Sequence, residues 1–262
     1  MRAGSAFLIL AFAAAAAGTT ARELIAESEA KNGLTTWKDR QAKLRVESFG
    51  PDHAVRELTI DLLEAPDADG GHQTRMVYRS PADTSGMIFL RTSPAEGEPE
   101  EWLWTPQARR ARRLAKGTSD ESALAPDLSY RDFELVTRLL RWDDTRASAS
   151  IVGEEPIDAG GTATVVEVVP RSASSPYARY RLWLETGSLR LTRVDMYDGD
   201  GAVRRRVLLR GYRATGAHAT PTEVEIARLP GNDKSVIHFE DVRYDVGAPA
   251  QAFSLNRVMR GE

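Results

Sequence analysis

The sequence of 262 residues contains no cysteine, and that absence excludes a great deal. Without thiols there are no disulfides, no thiolate nucleophile and no Cys-containing zinc or iron–sulfur site. A bacterial lipoprotein takes its acyl chains on a Cys at its cleavage site, so lipidation is excluded as well. Lysine is nearly missing: of 35 basic residues only Lys31, Lys38, Lys43, Lys116 and Lys234 are Lys, and the rest are Arg. With Ala also abundant, this reads as codon bias, which lowers the weight of any single Arg cluster. Histidine is scarce too, and none of His53, His72, His218 and His238 lies two to four residues from another, so H-E-x-x-H metal chemistry is absent. There is no G-x-S-x-G elbow, no S-x-x-K in a suitable context, and no Gly-rich phosphate loop or dinucleotide fingerprint after any strand. No enzyme is expected, and no cofactor or metal.

Long apolar runs are missing except at the start. Arg2 precedes the run from Ala6 to Gly18, and the small residues Thr19, Thr20 and Ala21 follow it, which is the layout of a secretory signal peptide. The run falls short of the roughly 18 to 20 residues that span a bilayer. We therefore expect a signal peptide over residues 1–21, cut after Ala21 with Ala17 as the second choice. A single domain over 22–262 follows, exported from the cytoplasm and not lipid-anchored. The formal net charge of −3 becomes −4 without Arg2, which speaks against nucleic acid as a partner.

What is present is a β pattern. Arg22 to Asn32, with Leu24, Ile25 and Ser28 at helical spacing and Gly33 as a C-cap, predicts a short amphipathic helix. Alternating β-favouring runs then appear at Lys43 to Phe49, Arg56 to Leu63, Arg75 to Arg79, Gly86 to Arg91, Glu101 to Thr105 and Ala111 to Ala115. They resume at Ser148 to Gly153, Thr162 to Val169, Tyr180 to Glu185, Leu189 to Tyr197, Val203 to Tyr212, Thr222 to Ile226 and Val236 to Tyr244. Short turn signals such as Pro66 to Gly71, Gly160-Gly161, Thr186-Gly187, Asp198 to Gly201 and Gly231-Asn232 separate them, so successive strands run antiparallel. In the break from Lys116 to Arg141, Ser129 and Asp132 precede Phe133, Val136, Leu139 and Leu140, which predicts an N-capped helix on the sheet.

Alternation assigns the apolar faces. Leu58, Ile60 and Leu62 share one face, as do Met76 and Tyr78, Trp102 and Trp104, Tyr180, Leu182 and Leu184, and Ile237 and Phe239. Arg56, Asp61, Glu101, Arg181 and Glu185 take opposite faces or strand ends. Two helices are few for so many strands, so the sheet must curl on itself into a partial barrel, leave a lined cavity, or both.

Asp195, Asp198 and Asp200 before Gly201 alternate as calcium ligands do, but the strands on both sides favour a hairpin turn. Arg109, Arg110, Arg112 and Arg113 are dense enough to meet anionic headgroups or an acidic partner, and in an Arg-rich chain they also fit a solvated strand. Trp37, Trp102, Trp104, Trp142 and Trp183 fit either a core or a lipid cavity.

Several runs, in order, carry a resemblance: Trp102 to Pro106, then Ala108 to Leu114, then Pro126 to Phe133. Gly153 to Ile157, Phe239 to Gly247, Phe253 and Leu255 continue it. This order is similar to that of the outer-membrane lipoprotein-sorting proteins of the LolA-like group, with Ala125-Pro126-Asp127 where that group often has Gly-Ser-Asp. The resemblance implies a mainly β fold: a strongly curved antiparallel sheet forming a half-open barrel, closed by a few short α-helices, with an apolar cavity for acyl chains. It implies a soluble periplasmic carrier of lipoproteins or other lipids toward the outer membrane, with an inner-membrane exporter as a further partner and only transient membrane contact. The expected lining is Leu58, Ile60, Leu62, Met76, Tyr78, Trp102, Trp104, Leu182, Leu184 and Phe239. The expected headgroup or partner contact is Arg109, Arg110, Arg112 and Arg113. The alternative is an envelope sensor or regulatory binding domain on the same half-barrel, acting through a protein partner.

Overall fold

The structure is a computed structural model that describes residues 19–49, 55–67, 70–94, 99–114, 145–158, 160–173, 175–231 and 233–260. The signal peptide, apart from residues 19–21, lies outside the described residues, as do the expected helix after Ser129, the run Pro126 to Phe133, His53 and Trp142. The first helix, α1 (Ala21–Asn32), starts at a capping box. The Thr20 hydroxyl accepts from the Glu23 N–H at 3.2 Å, and the Glu23 carboxylate accepts from the Thr20 N–H at 2.7 Å. It stops at Gly33, whose φ of 59° lets its N–H reach the Glu29 carbonyl at 2.7 Å. The helix thus begins one residue before the expected mature N-terminus, and its cap earlier still.

Six strands follow as a meander: β1 (Arg40–Phe49), β2 (Val55–Pro66), β3 (His72–Ser80), β4 (Ile88–Ser93), β5 (Glu100–Thr105) and β6 (Arg110–Arg113). After the crossover come β7 (Ala147–Pro156), β8 (Thr162–Pro170), β9 (Arg179–Glu185), β10 (Leu191–Tyr197), β11 (Val203–Arg210), β12 (Arg213–Thr215), β13 (His218–Thr220), β14 (Glu223–Arg228) and β15 (Lys234–Tyr244). Thirteen of them form one sheet in the order β6-β5-β4-β3-β2-β1-β15-β14-β11-β10-β9-β8-β7, while β12 and β13 form a separate hairpin. All neighbouring pairs are antiparallel, as the short turns require. The sheet is large and curved and does not close into a barrel. Each of its thirteen strands coincides with one of the thirteen runs expected from the sequence. The β12–β13 hairpin is not among them, because three-residue strands are too short to show alternation. A 3-10 turn (Ala250–Phe253) and a short helix α2 (Leu255–Met259) end the fold.

Two faces follow from the register. On the inner face, Leu44, Ile60, Met76 and Phe89 of the first meander join Val166, Leu182, Val194, Val207 and Ile237 of the second in one buried cluster, with Ile25 of α1 packed on it. On the outer face, Val77, Ile88 and Leu90 pack under Phe253 and Val258 of the C-terminal turn and helix. At the far end of the outer face Ala163, Val165 and Trp183 form a third, smaller group.

The middle of the inner face is apolar, and one of its ends carries a polar row, where Arg40 lies opposite Glu64, Glu64 opposite Thr74, Thr74 opposite Arg91, and Arg91 opposite Glu101. All five are buried. A buried charge is tolerated only when paired, and these pair in sequence across the strands. Arg40 Nε donates to Glu64 at 2.7 Å, Arg91 pairs with Glu101, and Arg91 Nε donates to the Ser93 hydroxyl at 3.0 Å. Burial alone would raise the Glu64 pKa, but the Arg40 charge and the His72 hydrogen bond outweigh it and hold the carboxyl at about 2.

The folded pKa of Glu64 is depressed, so its contribution is fully present above the ordinary value of 4.5 and is lost as the pH falls toward about 2. Acid titration of the wild type, followed by circular dichroism, should lose stability in that window, and Glu64→Gln should flatten that limb. Glu64→Ala, which strands Arg40, should cost about 3–5 kcal/mol in denaturant unfolding.

Candidate functional site: the apolar inner face and its free edge

The inner face is built by alternation in strands of both meanders. In β2 the even-numbered Leu58, Ile60 and Leu62 point inward at 2 %, 0 % and 3 % exposure, and their partners across the ladder are Val46, Leu44 and Ala42 on one side and, for Ile60 and Leu62, Tyr78 and Met76 on the other. In β9 Leu182 and Leu184 point the same way, with Tyr180 beside them. Phe239 of β15 sits opposite Leu44. The structure therefore brings Leu58, Ile60, Leu62, Met76, Tyr78, Leu182, Leu184 and Phe239 into one cluster. Phe89, Val166, Val168, Val194 and Met196 belong to it as well. Val166, Val168, Val194 and Met196 lie in runs already read as strands, and each could have been found by carrying the alternation one strand further.

Trp102 and Trp104 are the exception and correct the expected lining. They lie opposite Leu90 and Ile88 and pack on the outer face against the cluster of Phe253 and Val258. Glu101 and Leu103 take the inner face of β5 instead, Leu103 opposite Phe89 and Glu101 opposite Arg91. Alternation alone puts the tryptophans inside, because a carboxylate is the residue to exclude from an apolar face. Arg91, ten residues away, neutralises that carboxylate, and the C-terminal segment supplies a second apolar surface for the rings.

The arginine run divides between the faces. Arg110 and Arg112 lie opposite Thr105 and Leu103, on the inner side of β6, whereas Arg113 lies opposite Trp102 and pairs with Glu100 at 2.7 Å. Arg109 sits in the preceding turn with a φ of 48°. All four are exposed, and among the described residues β6 is an end strand bonded only to β5. Arg110 and Arg112 thus stand at the free edge of the apolar face.

The remaining polar candidates have structural partners. Asp198 and Asp200 both accept from the Ala202 N–H, at 3.1 and 2.8 Å, and both pair with Arg204, which makes the β10–β11 connection a hairpin turn. Asp195 is buried on the outer face between Arg193 and Arg206, whose Nε atoms stand 3.0 and 2.8 Å from it. Burial opposes its ionisation, but the hydrogen bonds from Arg206 and Arg193 outweigh that and lower its pKa. Trp183 lies under the Arg193 guanidinium at 4.0 Å and donates its indole N–H to Glu155 at 2.9 Å. His72 faces Glu64, His238 faces Glu47, and His218 contacts the Gly33 carbonyl at 2.7 Å. Among the described residues no three His, Asp or Glu side chains converge as metal ligands do, and no helix is long and apolar enough to cross a membrane.

A family model described as "-like: Uncharacterized protein" matches residues 70–260. No curated protein matches the chain. Several solved structures share the fold. One, described as an outer membrane lipoprotein-sorting protein domain from Vibrio parahaemolyticus, has a TM-score of 0.76 at 19% identity, covering 92% of this chain and 98% of that one. A DUF1329 family protein from Desulfovibrio piger gives 0.78 at 21% identity, covering 91% and 97%. A LolA superfamily protein from Nitrosomonas europaea gives 0.62 at 15% identity, covering 91% and 99%. At these identities what is shared is the fold, a curved antiparallel sheet with few short helices.

The assignment of Trp102 and Trp104 to the outer face has a direct test. Phe253→Ala should cost about 3 kcal/mol and shift tryptophan emission to the red, because the ring belongs to the cluster against which both indoles pack. Unchanged emission would place the indoles away from the C-terminal segment.

Proposed function

Because the chain belongs to the family of uncharacterized proteins whose model spans residues 70–260 and has the fold of a lipoprotein-sorting domain, we propose that it is a periplasmic carrier of acyl chains. Its cargo is a lipoprotein or another lipid, held against the inner face for transfer toward the outer membrane. The observation that carries this reading is the inner face itself. It is one continuous apolar layer drawn from both meanders, buried as it stands, so that cargo enters by displacing what covers it, and the ionisable row at one end is internally paired. Exposing an acyl chain to water costs about 0.8 kcal/mol per CH₂, so a soluble carrier needs an apolar layer of this extent. Met76 and Met196 add unbranched, polarisable side chains that repack at low cost around a flexible guest.

The free edge supports the same reading. Arg110 and Arg112 border the apolar face where a chain's polar end would emerge, and guanidinium forks bind carboxylates and phosphates in pairs of hydrogen bonds. Export by the signal peptide over 1–21 puts the carrier in the periplasm, where hydrophobic cargo has to cross water.

Native mass spectrometry of the protein taken gently from the periplasm tests the proposal. A bound mass that matches a lipid or an acylated peptide is expected. An apo mass that persists after incubation with membrane extract would overturn the carrier and favour a protein-binding sensor. Replacing both Arg110 and Arg112 by Glu should leave the bound mass in place while slowing delivery to anionic vesicles by about tenfold.

A further inference from the structure

The outer face of the first meander holds a cavity of about 350 Å³ that the carrier reading does not use. It lies on the side of the sheet opposite the proposed cargo. Register fixes its floor and walls: Arg243 of β15 lies opposite Gln41 of β1, Gln41 opposite Leu63 of β2, and Leu63 opposite Arg75 of β3. In the adjacent row Lys43 lies opposite Asp61, and Asp61 opposite Val77. Leu63 and Val77 form an apolar floor, and Lys43, Arg75, Arg79 and Arg243 stand around it with two carboxylates, Asp61 and Asp241.

The charges do not balance. Asp61 is taken by Arg79, whose Nε stands 2.6 Å from it, and Asp241 by Lys43 at 3.7 Å. Among the described residues Arg243 donates to the neutral side chain of Gln41, at 3.2 Å, and pairs with no carboxylate. Arg75 is the sharper case. It is half-buried, its Nε is fully shielded from solvent without a hydrogen-bond partner, and none of its nitrogens pairs with a carboxylate among the described residues. Its pKa is lowered, first by burial and then by the neighbouring charges of Arg257 and Arg79. An arginine so placed cannot shed its proton in any ordinary buffer, and a buried, unpaired charge is costly. Its relatives in this fold's inner row, Arg40 and Arg91, are each given a Glu. Arg75 is given a cavity.

We propose that this cavity is a binding site for a phosphate group, held between Arg75 and Arg243 above Leu63. The two arginines stand three strand positions apart, roughly 14 Å between backbones, so their long side chains can close on one anion from opposite sides. A tetrahedral phosphate has enough acceptor oxygens for both guanidinium forks. The phosphate can belong to a small soluble compound or to a phospholipid headgroup, and the chemistry of recognition is the same.

The test uses the purified protein, inorganic phosphate as probe, and sodium chloride at matched ionic strength as control. Phosphate should raise the melting temperature of the wild type above the chloride control. In Arg75→Gln and in Arg243→Gln its dissociation constant should rise by about tenfold or more. Without phosphate, Arg75→Gln should melt no lower than the wild type, since the lost guanidinium has no partner to leave behind. Cosedimentation with phosphatidylglycerol vesicles, against phosphatidylcholine vesicles, identifies the source. Arg75-dependent binding to the former means a lipid headgroup, and phosphate binding without it means a soluble compound. The site is overturned if the wild type responds to neither probe, if both variants respond as the wild type does, or if Arg75→Gln alone lowers the unliganded melting temperature sharply.

Discussion

The fold depends on the antiparallel seam between β1 and β15. Each meander is a series of local hairpins, and only this pairing joins them into a sheet with one continuous inner face. Its strands are far apart in sequence: at the end of the seam the Lys38 N–H donates to the Asp245 carboxylate, 207 residues away, at 2.7 Å. Closing a loop of that size carries an entropic cost that local hairpins do not meet, and the seam is reinforced accordingly. The Asp39 carboxylate accepts from three successive backbone N–H groups, Val246, Gly247 and Ala248, at 3.0, 2.9 and 3.1 Å. Next to it Arg40, which lies opposite Tyr244 on one side, pairs with buried Glu64 on the other. The start of β1 is thereby tied to both neighbours by charge-assisted bonds in a place where water does not compete for them.

From the seam outward the two halves solve different problems. The first meander carries the polar row from Arg40 to Glu101 across five strands, which closes one end of the apolar face with ion pairs. The second meander is mostly apolar inside, with Arg205 opposite Met196 and Ser235 opposite Ile226, and salt-bridged outside, where Asp195 between Arg193 and Arg206 and Glu167 beside Arg181 make a lattice of opposite charges over β8 to β11. Among the described residues both outermost strands are edges, and both are blunted in ways that discourage sheet-to-sheet association. One is short and carries exposed arginines, and the other is bulged between Ile151 and Gly153 and ends in Glu154, Glu155 and Pro156.

Much of the fold was legible because its signals are local. Alternation and turn chemistry located the thirteen strands of the sheet, and a C-capping Gly33 located the end of α1. The site was legible wherever one strand presents one apolar face, as Leu58, Ile60 and Leu62 do. It failed at β5, where both alternating sets are plausible: Trp102 and Trp104 on one side, Glu101 and Leu103 on the other. Burial of Glu101 depends on Arg91, and burial of the indoles depends on Phe253 and Val258, which arrive from the far end of the chain. The same limit hid the cavity at Arg75. That residue is unremarked in a chain so rich in arginine, and it stands out only when its neighbours in space are known to be spoken for.

The amino-acid sequence by itself determined the class of fold, the order and approximate ends of the strands, the antiparallel sense of each hairpin and the absence of thiol chemistry. Each of these follows from residue types within a few positions of one another. The tertiary structure alone decided which strands from the two halves meet, which of two faces each of them turns inward, which charges are neutralised and which are left over. Those depend on register between segments up to two hundred residues apart, and a shift of one position would reverse every one of them.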